Sequence, residues 1–171
     1  MAIFEVNIKE LKSLKPASLA QLKKELRYKS AEDLKALVIR LTKHKTENKE
    51  LLTYLLFDVE DEQGFITNTK RELDRLFSEI HPTNFYYIKK SLRKILRILK
   101  RYIRYSQNKE TEVELLLYFC EKMAAFRPSI QKNKAMLYVY DKQKEMIEKK
   151  IKMLHEDLQY DYTEELNKLP F

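Results

Sequence analysis

Three histidines and one cysteine are the side chains here best suited to metal binding or nucleophilic attack, and their spacing argues against both. No glutamate lies three residues before His44, His81 or His155, so the Glu-x-x-His ligand pair of di-iron bundles is missing. None of them belongs to an HExxH helix, and no second cysteine stands near Cys120 to build a zinc site. Cys120 shares an apolar arc with Val113, Leu116, Leu117 and Ala124, which reads as a buried structural thiol. His81 precedes Pro82 and reads as a helix junction, and His155 reads as a solvated helix end. The acids Asp58, Glu60, Asp61 and Glu62 lack the spacing and the glycine of a calcium loop, so they read as charge at a helix N-terminus. Gly64 is the only glycine, which excludes Walker A and GxGxxG phosphate loops and disfavours a sheet with tight turns. The expectation is a protein with no catalytic residues, no metal and no cofactor.

One other set of residues can do chemistry. The stretch YYIKKSLRKILRILKRYIRY, residues 86–105, carries eight Lys or Arg and no acid. Removing those eight from the chain's 34 basic residues leaves 26, against 26 acidic, so this stretch accounts for the whole net charge of +8. On a helical wheel Phe85, Ile88, Leu92, Ile95, Leu96, Leu99, Tyr102 and Ile103 form one apolar face. Lys89, Lys90, Arg93, Lys94, Arg97, Lys100, Arg101 and Arg104 fill an unbroken arc of roughly 140°. Five like-charge i,i+4 pairs repel at roughly 0.2–0.5 kcal/mol each, so some anion is needed to offset them.

Two sources of that anion are open. An acidic neighbour inside the fold is one: Glu110, Glu114 and Glu121 share a narrow arc on the following helix, and Asp58 to Glu62 lie on a preceding one. Three carboxylates on one neighbour cannot neutralise eight cations, so part of the face is expected to remain solvated. The other source is an external polyanion. A rigid row of Lys and Arg suits the phosphates of a nucleic-acid backbone, and Tyr86, Tyr87, Tyr102 and Tyr105 suit stacking on unpaired bases. Lys43, His44, Lys45 and Lys49 add further positive charge. An anionic membrane surface or an acidic protein would also accept the face, the membrane less well because the core needs the apolar side.

The elements that must carry these residues read as helices throughout. Ser18 with Gln21 and Ser30 with Asp33 are N-cap pairs, opening helices with Leu19, Leu22 and Leu26, then Leu34, Leu37, Val38 and Leu41. Thr46 is expected to cap the segment through Phe57. Further helices are expected over about 59–80, 83–106, 109–126, 130–158 and 161–168. The longest, 130–158, would be a rod of roughly 44 Å with a 3–4 seam of Ile130, Asn133, Leu137, Tyr140, Lys144, Ile147, Ile151, Leu154 and Leu158.

Short links between these segments predict an all-α antiparallel helical bundle, or a short stack, of about seven or eight helices in a single domain over residues 1–171. The spacing of the early helix starts resembles the hairpin rhythm of HEAT-like solenoids, though no internal repeat accompanies it. No stretch is long and apolar enough to span a membrane, and the N-terminus is not a signal peptide, so a cytoplasmic protein is expected. The functional expectation is a non-catalytic binding protein that contacts a nucleic acid or another polyanion through residues 86–105. Tyr87 and Tyr105 would flank the cations. The alternative is a helical interaction scaffold, dimeric through the 130–158 seam, with the basic face solvated or paired internally.

Overall fold

The computed structural model describes residues 15–171. Among the described residues the fold is all-α, with eight α-helices and no strand. The chain divides into two compact units, one ending at Lys49 and the other running from Glu50 to Phe171.

The first unit holds α1 (Leu19–Leu26), α2 (Ala31–His44) and the start of α3 (Thr46–Thr53). Both expected caps form reciprocally. Ser18 Oγ accepts the Gln21 N–H at 3.3 Å while Gln21 Oε1 accepts the Ser18 N–H at 2.9 Å. Ser30 and Asp33 repeat the arrangement at 3.1 and 3.3 Å. The Ser30 hydrogen bonds hold the Asp33 carboxyl below its usual range. The Asn48 side chain donates to Leu41 O at 2.8 Å, satisfying a carbonyl at the end of α2. No residue of α1 or α2 is buried.

The second unit contains the core. After α3 the chain makes a π-helical turn, Tyr54–Asp58, closed by Val59 N–H donating to Tyr54 O at 3.0 Å. The helix expected from 59 begins instead at Glu62, because Asp61 is the N-cap, at φ −123° and ψ 67°, and its carboxylate accepts the Gly64 N–H at 2.9 Å. A Cβ on Gly64 would meet Asp61 Oδ2 at 2.1 Å, so the lone glycine makes room for this cap. Then come α4 (Glu62–Ser78), α5 (Phe85–Ser106), α6 (Lys109–Ala125), a 3-10 turn at Ile130–Lys132, α7 (Lys134–Ile151) and α8 (Glu156–Lys168).

Polar contacts between the helices give their directions. Glu62 with Thr111, Lys70 with Glu114 and Asp74 with Lys122 advance together along α4 and α6, so these two run parallel. Lys150 near the end of α7 pairs with Glu112 near the start of α6, which fits an antiparallel pair. The two-residue link at Gln107 and Asn108 turns the chain back, sending α5 against α6. Helix α6 packs against α4, α5, α7 and α8 and is enclosed on most sides, with Val113, Leu115, Leu116, Leu117, Phe119, Cys120 and Met123 buried. Helix α5 sits at the surface of this arrangement and buries only Ile88, Leu92, Ile95, Leu99, Ile103 and Tyr105.

The expected helix over 130–158 is corrected. Asn133 is extended at φ −138° and accepts from the Ala135 and Met136 N–H groups, which starts a new helix at Lys134. The chain turns again after Ile151, and His155 becomes the N-cap of α8, with Glu156 and Asp157 in its first turn. Helix α7 has 18 residues, about 27 Å, and α5 with 22 is the longest among the described residues. The expected seam joins this core: Ile130, Tyr140, Ile147 and Ile151 are buried within the chain.

Candidate functional site

The charged side of α5 is the site the sequence singles out. The helix starts where Asn84 Oδ1 accepts the Tyr86 N–H at 2.8 Å, and it ends where Gln107 adopts a left-handed conformation at φ 57°. Every turn between these ends buries one or two aliphatic side chains in the core. That fixes the rotation of the helix and turns Lys90, Arg93, Lys94, Arg97 and Arg104 outward, where all five are exposed. Among the described residues no ion pair or hydrogen bond from a carboxylate reaches any of these five. By contrast, Lys70, Arg75, Lys122, Lys142 and Lys150 elsewhere in this unit each pair with an acid.

The remaining three cations differ. Lys89 is half-buried, with its Nζ 6.0 Å from the centre of the Tyr86 ring. Lys100 is half-buried too, and burial lowers its pKa against the opposing pull of Glu112. Arg101 is held by Glu50, with Nε 3.0 Å from Oε2 and Nη2 donating to Oε1 at 3.3 Å.

The acidic arc expected as an internal partner turns elsewhere. Glu114 pairs with Lys70 at 2.6 Å, and Glu110 accepts the Tyr162 hydroxyl at 3.1 Å. Together with Glu121, Asp161 and Glu165 they line a separate groove between α6 and α8. From the preceding acidic segment, Asp61 caps α4. Glu62 accepts hydroxyls from Tyr54 at 2.9 Å, from Ser106 and from Thr111 at 2.5 Å. The acids that do act on cations of α5, Glu50 on Arg101 and Glu112 on Lys100, carry no special signal in the sequence.

The tyrosines divide in the same way. Tyr86 and Tyr87 are exposed and meet edge-to-face at 5.3 Å. Tyr105 is buried with Tyr54 and Phe65, and its hydroxyl donates to Glu50 Oε2 at 2.9 Å, which corrects its expected role as a stacking platform. Tyr102 is half-buried under Arg101, 5.8 Å from its guanidinium. Lys43, His44 and Lys45 close α2 in the first unit.

Beside the outward cations lies a feature that sequence reading missed. An open groove of about 500 Å³ runs between α5 and its neighbours, rimmed by Arg93, Arg97, Lys100 and Arg104. Its apolar walls are Leu96, Ile103, Leu116 and Met146. Leu96 and Ile103 were legible as the edge of the α5 apolar face; Leu116 and Met146 come from α6 and α7.

Cys120 and His155 have defined places in the fold. Cys120 is fully buried and its thiol is pushed up to about 12, chiefly by burial. His155 is exposed at the α8 cap. Among the described residues no group of His, Cys, Asp or Glu is arranged to hold a metal ion, and no helix is long and apolar enough to cross a membrane. Compared with protein-family models, curated proteins and solved structures, the chain matches none.

Proposed function

We propose that the protein binds a nucleic-acid backbone without sequence specificity, through the outward side of α5. The observation that carries this reading is the set Lys90, Arg93, Lys94, Arg97 and Arg104, exposed on one helix and served by no carboxylate among the described residues. The repulsion along this row is a standing cost of the fold, and an external polyanion relieves it. Phosphates suit the row because each contact releases counterions and an arginine can hold a phosphate bidentately. Lys89 and Lys100 extend the row at half-buried positions, and Tyr87 stands exposed at its N-terminal end. Arg101, committed to Glu50, contributes field rather than a direct contact.

The test is fluorescence anisotropy with labelled single- and double-stranded RNA and DNA over a salt series. The variant Arg93→Glu/Arg97→Glu/Arg104→Glu is run alongside, with circular dichroism to show that it folds. Binding by the native protein with a steep negative log–log salt slope, lost in the folded variant, is the expected result. No binding to any of these ligands at low salt overturns the reading.

A further inference from the structure

A duplex needs only the cations; it has no use for the apolar groove beside them, because its bases face inward. A groove that took a base would therefore separate single strands from duplexes. We infer that the groove between α5, α6 and α7 receives an unpaired base, so that the ligand of α5 is single-stranded, its phosphates on the cationic rim and a base against Leu96 and Met146. This inference rests on the phosphate-binding reading above and narrows it.

The charge pattern selects this occupant. Arg93, Arg97, Lys100 and Arg104 follow one another along the rim at intervals of about one helical turn, over about 16 Å of helix axis. A single strand offers one anion per nucleotide along such a row and an aromatic face beside each anion. An acyl carboxylate brings one charge per chain and leaves most of the rim unmatched. The one acid in the groove, Glu112, is paired with Lys150 at 2.7 Å and pulls on Lys100, and no carboxylate among the described residues pairs with the three rim arginines. Three of the four rim cations are arginines, whose planar guanidinium can lie on a base while donating to a phosphate. The volume of about 500 Å³ lies within the range of small-molecule sites, with room for a base.

The experiment compares three ligands carrying equal numbers of phosphates: a single-stranded oligonucleotide, the same backbone made abasic, and a duplex. The expected result is binding of the base-bearing strand about tenfold tighter than the abasic one, at an unchanged salt slope. Leu96→Ala/Met146→Ala should erase that difference, bringing the base-bearing strand to the affinity of the abasic one. The abasic comparison uses the unaltered protein, so it decides the question even if this variant fails to fold. Equal, salt-dependent binding of all three ligands overturns the groove and leaves the phosphate reading standing. No binding of any overturns both. Tighter binding of an acidic amphipathic peptide than of the single strand, with competition between them, overturns the choice of occupant.

Discussion

Glu50 Oε2 lies 3.0 Å from Arg101 Nε, and this pair sets Arg101 apart from Arg97 one turn earlier on the same helix. Both residues are arginines on the charged side of α5. Arg101 is half-buried and ion-paired, whereas Arg97 is exposed and lines the groove. The two should therefore respond differently to the same substitution. Arg101→Ala should lower stability by about 1 kcal/mol, since a partly buried charged hydrogen bond is lost. Arg97→Ala should leave stability within about 0.5 kcal/mol of native and reduce the salt slope of nucleic-acid binding by about 1. Urea denaturation of both variants, followed by helicity, checks the first pair of values, and the anisotropy series checks the last.

Glu62 ties the second unit together at one end. Hydroxyls of Tyr54, Ser106 and Thr111 converge on its carboxylate, joining the π-helical turn, α4, the end of α5 and the start of α6. Thr111 is buried, so removing the acceptor leaves its buried hydroxyl without that bond. Glu62→Ala should cost about 2–3 kcal/mol. The measurement is the urea midpoint at fixed denaturant slope, and a loss under about 1 kcal/mol would show that water replaces the carboxylate.

The end of α5 is strained. Gln107 sits at φ 57° and ψ 9°, a region that a residue with a Cβ adopts at some cost, while its N–H still donates to Ile103 O at 3.0 Å. Gln107→Gly should relieve that strain and stabilise the protein by about 0.5–1 kcal/mol, the greater freedom of glycine in the unfolded chain offsetting part of the gain. Gln107→Val should destabilise it. Thermal melts of the two variants should shift in opposite directions.

Acid should weaken the fold in a defined window. The Arg75 hydrogen bond holds the Glu72 carboxyl below its usual value. At Asp74 burial pulls the pKa up, but hydrogen bonds from Lys122 and Tyr118 and the charge of Lys122 outweigh it, and the net shift is downward. Carboxyls lowered in the folded state stabilise it above their unfolded pKa, near 4, and lose that contribution as pH falls through the folded values. The urea midpoint should therefore fall between about pH 5 and about pH 3, and Asp74→Asn should flatten that decline.

The Cys120 thiol gives the opposite sign at high pH. Burial raises it to about 12, so the folded state keeps the proton that the unfolded chain releases near pH 8.5. Stability from this group is intact below that value and is lost as pH rises towards 12. At neutral pH a thiol reagent should label Cys120 only as fast as the protein opens, and labelling should accelerate in mild urea. Immediate labelling of the native protein would contradict the buried position.

Local features were legible from residue order. Ser18 and Ser30 cap where their spacing says they should, and α5 buries Ile88, Leu92, Ile95 and Leu99 as its periodicity requires, because caps and helix faces involve partners three or four positions apart. The division of α7 from α8 was not legible, since no proline or glycine marks the turn after Ile151 and the hydrophobic period continues across it.

By itself the sequence determined that the chain is helical and that its excess charge lies on one side of one helix. Which of those charges remain uncompensated was decided only by tertiary structure. Arg101 meets an acid 51 positions away, Tyr105 is covered by Tyr54 and Phe65, and the arc of Glu110, Glu114 and Glu121 turns towards α4 and α8 rather than α5. Helical periodicity sets the angle of each side chain about its own axis. The charges it meets depend on how the neighbouring helices are rotated, and packing of the buried core around α6 fixes that rotation.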